Sequence, residues 1–474
     1  MRNITFDKVF TAKWMHRVFA LSLVVSYLLA VYGIFRTNLI PGKYLLPALL
    51  IPGLVSAVLI YFQLFKSFSR IKGIILAVLS VLVIAGNLYL FSLGAATTKF
   101  FDSIQSDGYT YEEYSVVALK DVHVKLSSGE HTTGIITTDT NNDQVKAEME
   151  ERTKTTYAPV DDLTSLGLSL ANRQTDTSVL KSAYLQLVSE NNPAMYQNIE
   201  VLATFTVKVK NAIVPTVKDT SKPFVLYVSG IDTYGAIGTV ARSDVNILLV
   251  MNPETHRILL VNTPRDYYVQ LHGTTGLRDK LTHAGIYGID TSVQTLQDLY
   301  GIPIDYYLRV NFATLTNVVD TLGGVSVYSD NDFTAEGTHF SVGYNQLDGK
   351  EALTFSRARH QFAEGDRTRG QNQQRVIEAI ITKLSTPETL VNYRNIMAAL
   401  AGTFQTNAGS GTITSIMNKQ LDDLSKWMVE STSVDGTGTT APTYSMGATP
   451  LYVMEPDQKT VDAAKQKIHS YLSE

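Results

Sequence analysis

Among the 474 residues there is no cysteine. That absence excludes disulfides, thiolate metal sites and a cysteine nucleophile. Any exported part of the chain is therefore held by its own core, which this length can supply. Net charge is nearly absent too, with 40 Lys and Arg against 44 Asp and Glu and a formal balance of −4. A nucleic-acid groove would need a basic surplus, so nucleic acid is not an expected partner. Charge is missing altogether from three stretches near the N-terminus, at residues 18–35, 44–65 and 73–98. Each is about as long as the roughly 17–25 residues that cross a bilayer core as a helix.

A cleaved signal peptide carries one short apolar core rather than three, although "GAATT" at 94–98 has the small residues of a cleavage site. The expectation is three transmembrane helices at about 18–35, 44–65 and 73–95. Pro47 and Pro52 leave the second open to a kinked or re-entrant form. Arg2, Lys8, Lys13 and Arg17 precede the first run, and Lys66, Arg70 and Lys72 separate the second from the third. Only Arg36 and Lys43 lie in the loop between the first two. The positive-inside bias then places the N-terminus in the cytoplasm and everything beyond Lys99 outside the cell, on a multi-pass cell-membrane protein.

The rest divides into an accessory region, 99–215, and a larger domain, 222–474, joined by the proline-containing "NAIVPTVKDTSKP". Short strand-like and helix-like pieces alternate in the first, which predicts a small α+β domain without a chemical constellation. The second opens on the apolar strand "PFVLYVSGID" and continues with two buried strands around the turn "NPET". The helix "DTSVQTLQDLYG" has Asp290 as its expected cap and Gly301 as its stop. The strand "IDYYLRV", the helix "NFATLTNVVDTLGG" capped by Asn311, and the strand "VSVYS" follow. This alternation predicts a three-layer α/β/α domain with a central mixed sheet.

Charge inside that domain is concentrated in "SRARHQFAEGDRTRGQNQQR", which holds Arg357, Arg359, Arg367, Arg369 and Arg375. Its last part runs into a helical stripe, Val376, Ile377, Ile380, Ile381 and Leu384. Stepping back by four from Ile377 puts Gln373 and Arg369 on the core-facing side. A guanidinium on a buried face is costly unless paired or liganded, so an anion site outweighs a solvated basic face. Arg357 and Arg359 stand at the end of the expected helix "DGKEALTFSRAR", and Asp366 at the start of the next one. Asp232 ends one apolar strand, and Arg242 and Asp244 stand just before the next. Two carboxylates at one sheet end can seat a hard cation, but spacing alone favours reading them as ordinary strand-end polar residues. Arg265, in "NTPRD", is either part of this site or a surface partner of Asp266.

"SGIDTYGAIGTVARSDVNILL", "NTPRD" and "SRARHQFAEGDRTRGQNQQRVI" together resemble the LytR–CpsA–Psr family, and within it the capsular CpsA-type branch. The resemblance runs over essentially the whole chain. It implies an extracytoplasmic, membrane-anchored ligase that transfers capsular polysaccharide from a polyprenyl-pyrophosphate carrier to peptidoglycan. By the same resemblance Asp232 and Asp244 are Mg2+-associated carboxylates. Arg242, Arg265, Arg357, Arg359, Arg369 and Gln373 contact the pyrophosphate, and Arg265 and Asp366 take part in catalysis. Expected partners are the lipid-linked polymer, the peptidoglycan acceptor, the bilayer and other capsule assembly proteins. A polyprenyl-pyrophosphate hydrolase and a non-catalytic lipid-phosphate-binding regulator are the competing readings. The region before Val18 is too short for a DNA-binding domain, which weighs against the regulator.

Overall fold

The computed structural model describes residues 13–37, 40, 42–66, 70–104, 109–127, 129–210, 219–231, 237, 240–386, 389, 393–423 and 425–473. Asp232 and most of the expected linker lie outside the described residues. The chain forms two compact units. One comprises residues 1–103, 385–401 and 410–425, and the other comprises 104–384, 402–409 and 426–474.

In the first unit, α1 (Lys13–Thr37), α2 (Gly42–Phe65) and α3 (Arg70–Ile104) coincide with the three uncharged runs. All three are long and apolar enough to cross a membrane. α2 continues as helix through Pro47 and Pro52. Buried polar side chains link the helices: Asn87 Nδ2 donates to Ser26 Oγ at 3.2 Å and to Ser56 Oγ at 3.4 Å. Gln63 Nε2 donates to Ser80 Oγ at 2.9 Å. Such bonds orient helices in hydrocarbon, where apolar contact gives little preference for protein over lipid.

The second unit holds two large sheets among its described residues. Strands β1 (Tyr109–Leu119), β2 (Glu130–Ile136), β3 (Lys154–Val160), β4 (Thr177–Lys181) and β5 (Ile199–Lys210) form the first, in the order β3-β2-β4-β1-β5. Helices α4 (Asn142–Glu150), α5 (Leu163–Ala171), α6 (Ser182–Asn191) and α7 (Pro193–Asn198) connect them. Asp162 caps α5, its side chain accepting from Ser165 N–H. Leu163, Leu166 and Leu170 of α5 share a core with Ile286, Met446 and Leu451 of the larger domain. Buried within this sheet, Lys181 Nζ lies 2.7 Å from Glu112 Oε2. Burial pushes the Glu112 carboxyl up, and the Lys181 charge only partly counters it.

The second sheet is built from β6 (Phe224–Ile231), β7 (Ser243–Asn252), β8 (Arg257–Asn262), β9 (Tyr306–Val310), β10 (Gln405–Thr406) and β11 (Met428–Ser433). Its order is β10-β9-β6-β7-β8-β11. β9 runs parallel to β6 and β11 parallel to β8, while β6–β7 and β7–β8 are antiparallel, so the sheet is mixed as expected. Its strands read as continuous apolar runs because both faces are covered. Val225, Tyr227, Leu248, Val250, Leu259 and Val261 point to one side. There they meet α8 (Ile289–Tyr300) and the C-terminal helix Gln458–Ser473. The alternate residues Val228, Ile247, Leu249, Ile258 and Leu260 point to the other side, toward Ile377 and Ile381. The result is the three-layer α/β/α architecture.

Local signals explain the ends of these elements. Asn311 caps α9 (Phe312–Thr321) in a capping box with Thr314. Gly301 ends α8 in the left-handed conformation, φ 67°. The cap at the start of α8 is Gly288 rather than Asp290, which sits in the first turn of the helix. α10 (Gly349–Arg357) starts at a second capping box, Asp348 with Glu351, and α11 (Asp366–Leu384) follows it.

Candidate functional site

Asp244 enters the site as the second residue of β7, and Arg265 follows β8 across "TPR". Because β7 and β8 are antiparallel neighbours, Asp244 and Arg265 come to one end of the sheet. Arg265 Nη1 donates to Asp244 Oδ2 at 2.7 Å, and Thr282 Oγ1 donates to Asp244 Oδ1 at 2.8 Å. Arg265 Nε lies 3.4 Å from Asp366 Oδ2 and 3.6 Å from Asp266 Oδ2. This Nε is buried and forms no hydrogen bond among the described residues. One guanidinium therefore lies against three carboxylates with one N–H left without a hydrogen-bond acceptor among them.

Asp366, the first residue of α11, also lies 3.4 Å from Arg369 Nη1 and 3.7 Å from Arg359 Nη1. Arg369 is 9% exposed and Arg242 8% exposed, both within range of the Asp244 charge. Burial alone would raise the Asp244 carboxyl, but Arg265, Arg242 and Arg369 outweigh it and hold the pKa below the usual range. Burial and then the Arg265 charge depress Arg369. At Arg265 itself, burial is overcome by Asp244, Asp266 and Asp366, and its pKa rises. Asp266 is held low by Lys280, 2.9 Å away, and by Arg265, against its burial. These groups stay ionised at neutral pH, which makes the cluster a permanent array of charge.

Beside the cluster opens a cleft of about 790 Å3. Arg265, Arg359, Asp366, Asp266, Lys280 and Tyr452 are among the residues that line it. Arg242 and Asp244 stand behind Arg265 and are not part of the lining.

The structure thus brings Arg242, Asp244, Arg265, Arg359, Asp366 and Arg369 together. It does not bring Arg357 to the cleft. α10 ends at Arg357, and the chain turns away at Ala358 (φ −59°, ψ 124°). Arg357 then stacks on Phe312, 4.5 Å from the ring centroid, whereas Arg359 turns toward Asp366. Gln373, one turn after Arg369, is half-buried. Its neighbour Gln374 is buried, its Nε2 donating to the carbonyls of Leu260 at 3.1 Å and Thr432 at 2.7 Å. The helical stripe gives no sign of Gln374, because a buried amide can satisfy strand carbonyls that an apolar pattern does not reveal. β6 ends on Ile231, which pairs with Ser243; Asp232, the other expected metal carboxylate, lies outside the described residues.

Thr282 and Gly285 carry no motif in the sequence, yet both support the site. They belong to the 3-10 turn Leu281–Tyr287. A Cβ on Gly285 would fall 2.5 Å from Ala241 O and 2.8 Å from Ser243 N. Gly285→Ala is therefore expected to displace the backbone that carries Arg242 and Asp244. Activity should fall by an order of magnitude or more, together with a lower unfolding midpoint, in paired assays of turnover and thermal melting. An alanine variant with wild-type values in both would show that this contact does not position the site.

With this geometry in place, the comparison with known proteins is informative. The sequence profile of the LytR_cpsA_psr family matches residues 184–469, more than half of the chain. The chain belongs to the LytR_cpsA_psr family. The Enterococcus faecalis polyisoprenyl-teichoic acid–peptidoglycan teichoic acid transferase TagU is 33% identical over 223 residues, 46% of this chain and 70% of that relative. The Bacillus cereus TagU is 36% identical over 188 residues, 40% of this chain. That match spans 61% of the Bacillus cereus protein. Among solved structures, B. subtilis TagV is 26% identical, and the match covers 53% of this chain and 98% of that one, with a TM-score of 0.45.

Proposed function

We propose that this LytR_cpsA_psr protein is a membrane-anchored phosphotransferase that moves a glycopolymer, capsular polysaccharide, from a polyprenyl-pyrophosphate carrier to peptidoglycan. One observation carries the reading: three partly or fully buried guanidiniums, those of Arg242, Arg265 and Arg369, converge on one carboxylate beside an open cleft. Buried cations in such number are stable only where anions compensate them, and the planar forks of arginine match phosphate oxygens. The names of the relatives specify teichoic acid for those proteins. Capsular polysaccharide is the polymer that the CpsA-like motifs of this chain suggest.

In the reaction, the pyrophosphate displaces the carboxylates from part of the Arg265 fork and takes up its unused Nε–H. Arg242, Arg369 and Arg359 neutralise the remaining oxygens. A peptidoglycan hydroxyl oxygen attacks the phosphorus that bears the polymer. The bond from that phosphorus to the bridging oxygen breaks, and polyprenyl phosphate departs with the bonding pair. The hydroxyl proton passes to Asp366, and the product is a phosphodiester between polymer and wall. Developing charge on the phosphoryl oxygens is met by guanidiniums already in place, where oriented charge contributes most.

Magnesium fits this site only in company with the substrate. Among the described residues no group of three metal-ligating side chains exists. Both oxygens of Asp244 already accept a hydrogen bond, although each retains a lone pair. Mg2+ is commonly held by one or two carboxylates plus phosphate oxygens, here Asp244, Asp232 and the pyrophosphate. When bound, it would supply further neutralisation of phosphate charge. Mg2+ alone is therefore expected to leave the thermal midpoint of the full chain unchanged, and to raise it once a polyprenyl pyrophosphate is added. A clear shift with Mg2+ alone would contradict a substrate-dependent site.

An extracellular location for the site rests on the positive-inside orientation of the three candidate spans. The functional test is transfer of labelled lipid-linked polymer to peptidoglycan by the purified chain; phosphate release that no acceptor diverts would favour hydrolysis instead.

A further inference from the structure

The cleft does not have the charge pattern of a site for phosphate alone. Its lining carries four cationic and four anionic side chains, so it offers acceptors and donors in equal measure. The excess of buried cation lies behind Arg265, around Asp244. On the open side, Asp266 and Asp366 flank the same Arg265 nitrogen, and Lys280 braces Asp266 from below at 2.9 Å.

Tyr452 lines the same cleft. It lies on the strand Gly447–Pro456 and is 53% exposed, one of the large exposed hydrophobic side chains outside the membrane helices. Its ring leans across Gly438 of the paired strand Gly436–Thr443, where a Cβ would fall 2.7 Å from the Tyr452 hydroxyl oxygen. Backbone covers the ring on that side, Lys280 Nζ lies 5.9 Å from its centroid, and about half of the side chain stays exposed. The charges of Asp266 and Asp366 reach its hydroxyl and, with burial as the larger cause, hold it protonated. A half-exposed ring in one cleft with paired carboxylates and a lysine suits a neutral ligand with an apolar face and a rim of hydroxyls. That chemistry is a pyranose.

We infer that this cleft is the acceptor-saccharide subsite: a sugar ring of the glycan strand stacks on Tyr452 while its hydroxyls bond to Asp266, Lys280 and Asp366. The assignment rests on the transferase reading above. It favours the acceptor over the first sugar of the donor because the carboxylates face the incoming hydroxyl, where negative charge aids proton removal, and would repel the donor's phosphates. Asp266 and Lys280 act on the acceptor here, beyond their pairing with each other and that of Asp266 with Arg265.

The test uses the full chain in detergent with labelled lipid-linked donor and a soluble, uncrosslinked glycan strand as acceptor. Tyr452→Ala is expected to raise the acceptor KM about tenfold and leave the donor KM unchanged, with Tyr452→Phe close to wild type. An unchanged acceptor KM in Tyr452→Ala, or a parallel rise in the donor KM, would overturn the assignment. A second measurement separates this inference from the transferase reading, since it needs no turnover. Chitotetraose, a β-1,4-linked amino-sugar tetramer, is titrated into the chain and followed by calorimetry. Binding that is lost in Tyr452→Ala and kept in Tyr452→Phe supports the subsite even if transfer fails. Absence of binding to the wild-type chain at millimolar ligand, or binding indifferent to Tyr452→Ala, overturns it.

Discussion

Arg265→Ala is expected to lower the rate of polymer transfer by at least about a hundredfold, the scale on which removal of one transition-state donor acts. The reason is geometric. Arg265 contacts Asp244, Asp266 and Asp366 and links the buried arginine layer to the open cleft. Among the described residues, alanine leaves Asp244 with only Thr282 at hydrogen-bond distance and removes an Nε–H that has no hydrogen-bond acceptor there. Arg265→Lys should rescue little, because one ammonium cannot span carboxylates on both sides of a planar fork. Lipid-pyrophosphate binding should weaken less than turnover, since Arg242 and Arg369 remain. Steady-state transfer with a separate binding assay checks both. Full-rate transfer by Arg265→Ala would remove Arg265 from catalysis.

Lys181→Met is expected to lower stability by about 3–5 kcal/mol at neutral pH, the usual cost of stranding one member of a buried ion pair. Both side chains are only 6% exposed, so solvent screening offers little relief. The pH dependence has a definite sign. The folded-state pKa of Glu112 is raised above its ordinary value, with burial as the first cause. Its ionisation therefore carries no penalty below the ordinary carboxylate value, and the penalty grows as pH rises through the raised one. Removing Lys181 raises that folded-state value further. The destabilisation should shrink in acid, where Glu112 is protonated, and be greatest at neutral pH. Lys181→Met paired with Glu112→Gln should recover most of the loss. Thermal melts of the three variants at two pH values test this, and a pH-independent loss would contradict the buried-carboxylate account. Activity should follow stability here, because the accessory core reaches Ile286, four residues from Thr282.

How far the fold and site were legible in the sequence depends on whether the deciding interaction was local. The membrane helices, the runs of β6–β8 and the caps at Asn311 and Gly301 are written in residues close to one another. Arg369 was legible because helical period alone carries it into the core. Thr282 was not: it reaches Asp244 across 38 positions of sequence, and nothing at either end marks the pairing. Tyr452 bears no mark either, since the glycine its ring leans across, Gly438, lies on another strand. Arg357 and Arg359 share a motif, yet they diverge because the helix ends between them. The buried Gln374 was not legible, because the carbonyls it binds belong to strands of the sheet.

The central claim is phosphoryl transfer to a wall hydroxyl at the arginine cluster. Its most direct test places 32P in the phosphate that bears the polymer and incubates the lipid-linked donor with the full chain in liposomes and purified peptidoglycan. The account predicts label in peptidoglycan as a phosphodiester, unlabelled polyprenyl phosphate as the co-product, and neither with Arg265→Ala. Label released as polymer phosphate at the same rate with and without peptidoglycan, or donor bound by the wild-type chain and never consumed, would contradict it.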